Sequence, residues 1–197
     1  MSMNSAKVGT YWDKLSQDYQ FENTKDVDFL TDMILQNDNT SIFEASVGSG
    51  IIPKILREKG FEGKYLGSDY CQVFIDAAKA NNPKEEFIAV DLLDYIDAPD
   101  KSFDACVVRH GLEYVFPYRN ALAEMKRVAK KYIYIMFWVD FVEENRIRFN
   151  EDGNWNVNYY KRSEWEQILN ELRFSNVEKF IIRNDNGKDN YLYKLTI

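Results

Sequence analysis

The sequence is short of several things, and each shortage narrows what the chain can be. It has two cysteines, Cys71 and Cys106, in 197 residues, which excludes a disulfide-dense scaffold and points to a reducing, cytoplasmic setting. It has one histidine, His110, and no Cys/His group with metal-ligand spacing, so no metal site is expected. No apolar run reaches the length of about 20 residues that a spanning helix needs, and the opening MSMNSAKVGT lacks the apolar core of a secretory signal. No membrane partner is expected. Basic charge is also scarce, with 25 Lys and Arg against 32 Asp and Glu and a net charge of −7. Nucleic-acid binders draw much of their affinity from phosphate contacts and carry a cationic footprint. The one dense basic group, Lys126, Arg127, Lys130 and Lys131, reads as a helix end, where cations complement the macrodipole. A nucleic-acid acceptor is disfavoured.

What is present is a core. Hydrophobic residues make up 45% and aromatics 15%, enough for one globular domain of this size. Apolar runs alternate with helical patterns, the mark of a parallel sheet wrapped by helices. SIFEA, KYLGS, FIAV, FDACVVR and YIYIMFW are the expected strands. Helices are expected over Ile51–Lys59, Val73–Ala80, Pro117–Ala129 and from Ser163, where Ser163 and Glu166 suggest a capping box. VEKFII and YLYKLTI, joined by the polar turn NDNGKDN, form a hairpin signal that closes the sheet with an antiparallel pair. Residues 1–40 read as a helical lid segment and 41–197 as the domain proper. The stretch from Asp140 to Tyr160 shows no clear period and reads as a long irregular connection.

Ligands of open α/β sheets bind at the carboxyl ends of the strands. Three candidates fall there. Glu44-Ala45-Ser46-Val47-Gly48-Ser49-Gly50 follows the first strand and opens a helix, so small residues permit close backbone approach to a ligand. Pro53 stands where a dinucleotide fingerprint needs its third glycine, and no Lys-Ser/Thr follows as in a P-loop. A tight structural turn explains the same residues. Asp69 closes KYLGSD about twenty residues later, placed either to accept from two ribose hydroxyls or to cap the next helix. Asp91, after the third strand, is placed to meet an adenine amino group, with Leu92 and Leu93 against the ring.

Together these residues resemble the class I S-adenosylmethionine-dependent methyltransferases: FEASVGSG is similar to their first motif, GSDY to the second, AVDLLDY to the third and SFDACVVRHGLEYV to the fourth. The resemblance spans Ser41 to Trp138, with Ser46 in place of the usual first glycine and Lys130-Lys131 in place of a glycine-rich turn. It implies an α/β Rossmann-like three-layer sandwich with a seven-stranded, mostly parallel sheet in the order 3-2-1-4-5-7-6. It also implies S-adenosylmethionine as cofactor, held by Glu44, Ser46, Gly48, Gly50, Asp69, Tyr70, Asp91, Leu92 and Arg109, with Tyr11 and Tyr19 (and Trp12) closing from the leading segment.

Methyl transfer is an in-line displacement that rewards alignment and exclusion of water. His110 lies just past the fourth strand, and because an imidazole ordinarily titrates near neutral pH it is the candidate base; a polar pocket wall is the bland alternative. Glu113, Tyr114, Trp138 and Tyr159 are the acceptor-side candidates, with Asp140 and Trp155 beside them. The reading is an enzyme methylating an oxygen or nitrogen of a small molecule, as monomer or homodimer. Its rivals are a cofactor-binding module without turnover and an enzyme acting on a peptide or protein.

Overall fold

The structure, a computed structural model, describes residues 23–149 and 156–197. Helix α1 (Lys25–Gln36) leads into β1 (Ser41–Ala45), α2 (Ile51–Glu58), β2 (Lys64–Asp69), α3 (Gln72–Asn81), β3 (Glu86–Ala89) and β4 (Phe103–Arg109). A short 3-10 turn (Leu112–Tyr114), α4 (Arg119–Val128), β5 (Ala129–Phe137), β6 (Arg146–Phe149), β7 (Asn156–Tyr159), α5 (Arg162–Leu172), β8 (Asn176–Arg183) and β9 (Asp189–Thr196) follow.

Seven strands form one sheet in the order β3-β2-β1-β4-β5-β9-β8. The first five are parallel to one another, whereas β9 runs antiparallel to both β5 and β8. Counting only the strands of this sheet, the order is the expected 3-2-1-4-5-7-6. Strand period sorts the core into two layers. Ile42, Ala105, Val107, Tyr134 and Met136 face α1, α2 and α3, while Phe43, Cys106, Val108, Ile133 and Ile135 face α4 and α5. Cys106 is inert packing, its thiol pushed well up by burial.

Four expectations need correction. The stretch after Asp140 is not an irregular connection: β6 and β7 make a separate antiparallel hairpin, pairing Arg146 with Tyr159 and Phe149 with Asn156. The Arg-Ile-Arg-Phe of β6 does alternate, but over only four residues, all of them exposed, which is too short a run to mark a strand by itself. The capping box does not form. Helix α5 starts at Arg162 with Lys161 as N-cap and no side-chain cap, because the chain entering it bridges to Val142, whose carbonyl accepts from Arg162 N at 2.9 Å. Lys130 and Lys131 lie on β5, not on a helix end; Lys131 sits 3.4 Å from Asp104. Last, the described part of the N-terminal segment is no loose cover. Val27, Leu30 and Ile34 of α1 are fully buried, worth about 1.5–3 kcal/mol each, which makes α1 part of the core.

Candidate functional site at the strand tips

The loop after β1 turns through left-handed backbone at Ser46 (φ 57°), Gly48 (φ 56°) and Gly50 (φ 82°). Val47 N donates to Ser68 O at 2.9 Å, tying the loop to the end of β2. Gly50 is small for a packing reason: a Cβ there would come within 2.4 Å of Asn82 Nδ2, which donates to Gly50 O. A Cβ on Gly111, just past β4, would strike Ser46 Oγ at 2.3 Å. The loops after β1 and β4 therefore touch.

Asp69 is drawn into the glycine loop. Gly48 N donates to its Oδ2 at 3.1 Å and Cys71 N to its Oδ1 at 3.0 Å. Cys71 itself holds the N-cap position of α3, so Asp69 secures the entry to that helix as well as the loop. Burial pushes its carboxyl up to about 6, opposed by the amides of Cys71, Gly48 and Tyr70. Glu44 is buried and accepts a hydrogen bond from the Tyr65 hydroxyl; burial raises it to about 8, so it is protonated at neutral pH. At the tip of β3, Asp91 accepts from Leu93 N at 2.9 Å. Leu92 turns into the core, whereas Leu93 (47% exposed) and Tyr70 (42%) present their surfaces to solvent.

Beyond β4 the polar groups answer to other elements. The Arg109 guanidinium is held by α1, with Nε 2.7 Å from Asp26 Oδ2, so its side chain is not free to anchor an acidic ligand. His110 sits at φ 54°, its amide donating to Met136 O at 2.8 Å. Its Nε2 lies 3.8 Å from the same Asp26 oxygen. Burial and the neighbouring Arg109 charge hold the imidazole well below its usual range, opposed by Asp26. Glu113 is fully buried; Oε1 accepts from Trp138 N at 2.8 Å, and Oε2 has no partner among the described residues. Burial lifts it to about 7. Asn158 of β7 donates to Glu113 O at 2.8 Å, which fastens the hairpin over this turn. Tyr114 and Trp138 are half-buried, and Tyr159 lies under Arg146, whose guanidinium is 4.4 Å from the ring centroid. Asp140 is engaged by Arg162 and Lys179. Tyr11, Trp12, Tyr19 and Trp155 lie outside the described residues. Sequence reasoning missed Asp26, whose only local signal is an acid in the first turn of a helix. Among the described residues no His/Cys/Asp/Glu group fit to hold a metal is present, and no helix is long and apolar enough to cross a membrane.

A family model described as a methyltransferase domain matches residues 43–137, from β1 through β5. The match covers just under half of the chain and falls within the stretch that resembles the class I S-adenosylmethionine-dependent methyltransferases in sequence. Solved structures share the fold of this chain at low identity. The 1,6-didemethyltoxoflavin-N1-methyltransferase of Burkholderia thailandensis, bound to 1,6-didemethyltoxoflavin and S-adenosylhomocysteine, is 13% identical with a TM-score of 0.76, covering 98% of this chain and 88% of that one. Magnesium protoporphyrin IX methyltransferase from Synechocystis, bound to S-adenosylhomocysteine, is 12% identical with a TM-score of 0.71, covering 98% and 99%. A Haloferax volcanii methyltransferase solved with the activator Trm112 is 14% identical with a TM-score of 0.68, covering 94% and 96%. No curated protein matches the sequence significantly.

Proposed function

We propose that the chain transfers the methyl group of S-adenosylmethionine to an oxygen or nitrogen of a small-molecule acceptor. The observation that carries this reading is the contact of Asp69 Oδ2 with Gly48 N at 3.1 Å, which joins the acid of the second motif to the glycine loop of the first. The amides of Cys71, Gly48 and Tyr70 take three of the roughly four acceptor sites of the Asp69 carboxylate, leaving one for a ribose hydroxyl. The left-handed loop holds backbone near the ligand, and the outward surfaces of Tyr70 and Leu93 flank the mouth beside Asp91, a setting suited to a flat purine with an amino edge. Glu44 supports the loop from below, while Ser46 and Gly50 shape it. Arg109 is assigned to the cofactor through its backbone carbonyl, since its side chain serves Asp26.

S-adenosylmethionine, when bound, supplies a methyl group on a cationic sulfur that departs as a neutral thioether. The chain's own residues then have three tasks: align the acceptor, exclude water and take its proton. His110 is assigned as the proton acceptor because it is the strand-tip imidazole, and burial favours its neutral, proton-accepting form. Tyr114, Trp138 and Tyr159 are assigned to the acceptor side, with Glu113 fixing the turn that carries them. Two relatives in fold carry small-molecule acceptors in their names, which supports that substrate class.

Calorimetric titration with S-adenosylmethionine tests the reading first; saturable one-to-one binding is expected, and its absence overturns the proposal. Formation of S-adenosylhomocysteine with a panel of phenols, carboxylic acids and amines tests the second half. Tight binding with turnover only on peptides would replace the acceptor class, and binding with no turnover on any acceptor would favour a cofactor-binding module.

A further inference from the structure

Asp26 and His110 are 84 residues apart in sequence, yet an oxygen of one faces a nitrogen of the other. Asp26 is 1% exposed and belongs to α1, anchored there by its own amide to Asn184 Oδ1 (3.3 Å) and by the Thr24 hydroxyl (2.5 Å). Its Oδ2 takes Arg109 Nε at 2.7 Å. The nitrogen of His110 nearest to that oxygen is Nε2, at 3.8 Å. Nε2 has no solvent exposure and no hydrogen-bond partner among the described residues, although a quarter of the side chain as a whole is exposed. The other ring nitrogen is not among the buried unpartnered atoms. The backbone of His110 is in the left-handed region, a conformation that costs a non-glycine residue energy and persists at positions where the surroundings impose it.

We propose that Asp26 is a positioning residue for His110, fixing the Nε2–H tautomer so that Nδ1 is the nitrogen whose lone pair meets the methyl acceptor. The inference deepens the function proposed above and rests on it. A carboxylate favours a proton on the nitrogen it faces, and the tautomer of an imidazole is set by the partner of the nitrogen that does not react. When the acceptor's oxygen or nitrogen gives its electron pair to the methyl carbon, its proton passes to Nδ1. The imidazolium formed then lies between Arg109 from β4, which opposes the new charge, and Asp26 from α1, which favours it. These are the charged groups that act on the ring. The device also explains why α1 is built into the core: the base is oriented from the segment that precedes the first strand.

Because the chain has a single histidine, ring nitrogen-15 shifts report this residue without assignment. The wild type at neutral pH is expected to show a protonated Nε2 and a bare Nδ1. In Asp26→Asn the amide oxygen can keep Arg109 Nε while the negative charge is lost, so the Nε2–H preference is expected to weaken and the imidazolium pKa to fall further. Asp26→Glu is expected to restore the wild-type tautomer. A bare Nε2 in the wild type, or a tautomer indifferent to Asp26→Asn, overturns the proposal; if that variant does not fold, the wild-type spectrum alone decides. Titrating S-adenosylmethionine into the same wild-type sample keeps the two readings apart. Failure to bind cofactor sinks the functional reading and leaves the tautomer result standing.

Discussion

The two halves of the strand-tip rim solve the burial of polar groups in opposite ways. Over β1 to β3 the loop acids are satisfied by backbone, Asp69 by the amides of Gly48 and Cys71 and Asp91 by Leu93 N, while Glu44 takes the hydroxyl of Tyr65. Over β4 and β5 the groups are held by distant side chains or left incomplete, with Arg109 on Asp26 and open atoms at His110 Nε2 and Glu113 Oε2. An unmatched buried polar atom costs about 1–3 kcal/mol. The first half is finished before any ligand arrives; the second keeps unsatisfied groups where chemistry is expected. A ligand site of the first kind depends on backbone shape, and one of the second on side-chain identity.

The sharpest way to break this contrast is at backbone level. Gly48→Val puts a β-branched residue at φ 56°, a region such side chains avoid. Cofactor binding is expected to drop below detection by calorimetry while circular dichroism reports a retained sheet. A folded variant that binds normally would remove the loop from the site. On the other half, His110→Ala is expected to cut turnover by about 10²–10⁴-fold with cofactor affinity kept. Equal turnover across the pH range would end its role as base.

Asp69→Ala comes next in size. Losing an ionised acceptor of a ribose hydroxyl is worth about 1.5–3 kcal/mol, so the dissociation constant for S-adenosylmethionine should rise by roughly 10–100-fold. The same carboxyl gives a pH signature in the wild type. Its pKa is about 6 in the folded chain, so affinity should hold above neutrality and weaken as pH falls through 6. Calorimetry at pH 7.5 and 5 checks this, and affinity flat across that window would count against the ribose assignment.

How far each half could be read from sequence follows from the same contrast. Strand β4 was expected at Phe103 and is observed from Phe103 to Arg109, because a strand buried on both faces is a continuous apolar run. The position of Asp69 at the end of β2 is legible because Cys71 N is two residues away, whereas its contact with Gly48 N, 21 residues upstream, arises only in the fold. Asp26 was invisible, since its meaning arises only when α1 docks beside β4. Hairpin β6–β7 is hard to read because its alternations, RIRF and NVNY, run for only four residues each and β6 buries neither face. The capping box failed for a related reason: Val142 O, a tertiary partner, already serves the first turn of α5.

The smallest expected effect is on stability and sharpens the unfinished half. Glu113 has a folded pKa of about 7 against an ordinary 4.5. Between those values the folded chain holds a proton that the unfolded chain has released, so wild-type stability declines as pH rises through the window, and the full deficit persists above pH 7. Glu113→Gln keeps an acceptor for Trp138 N but cannot ionise. It should therefore be the more stable protein at pH 8, by on the order of 1–3 kcal/mol, with the gap closing below pH 5. Urea denaturation of both proteins at the two pH values reads this directly. A constant difference between them would mean that Glu113 is ionised in the fold, and that the second half of the rim is as well satisfied as the first.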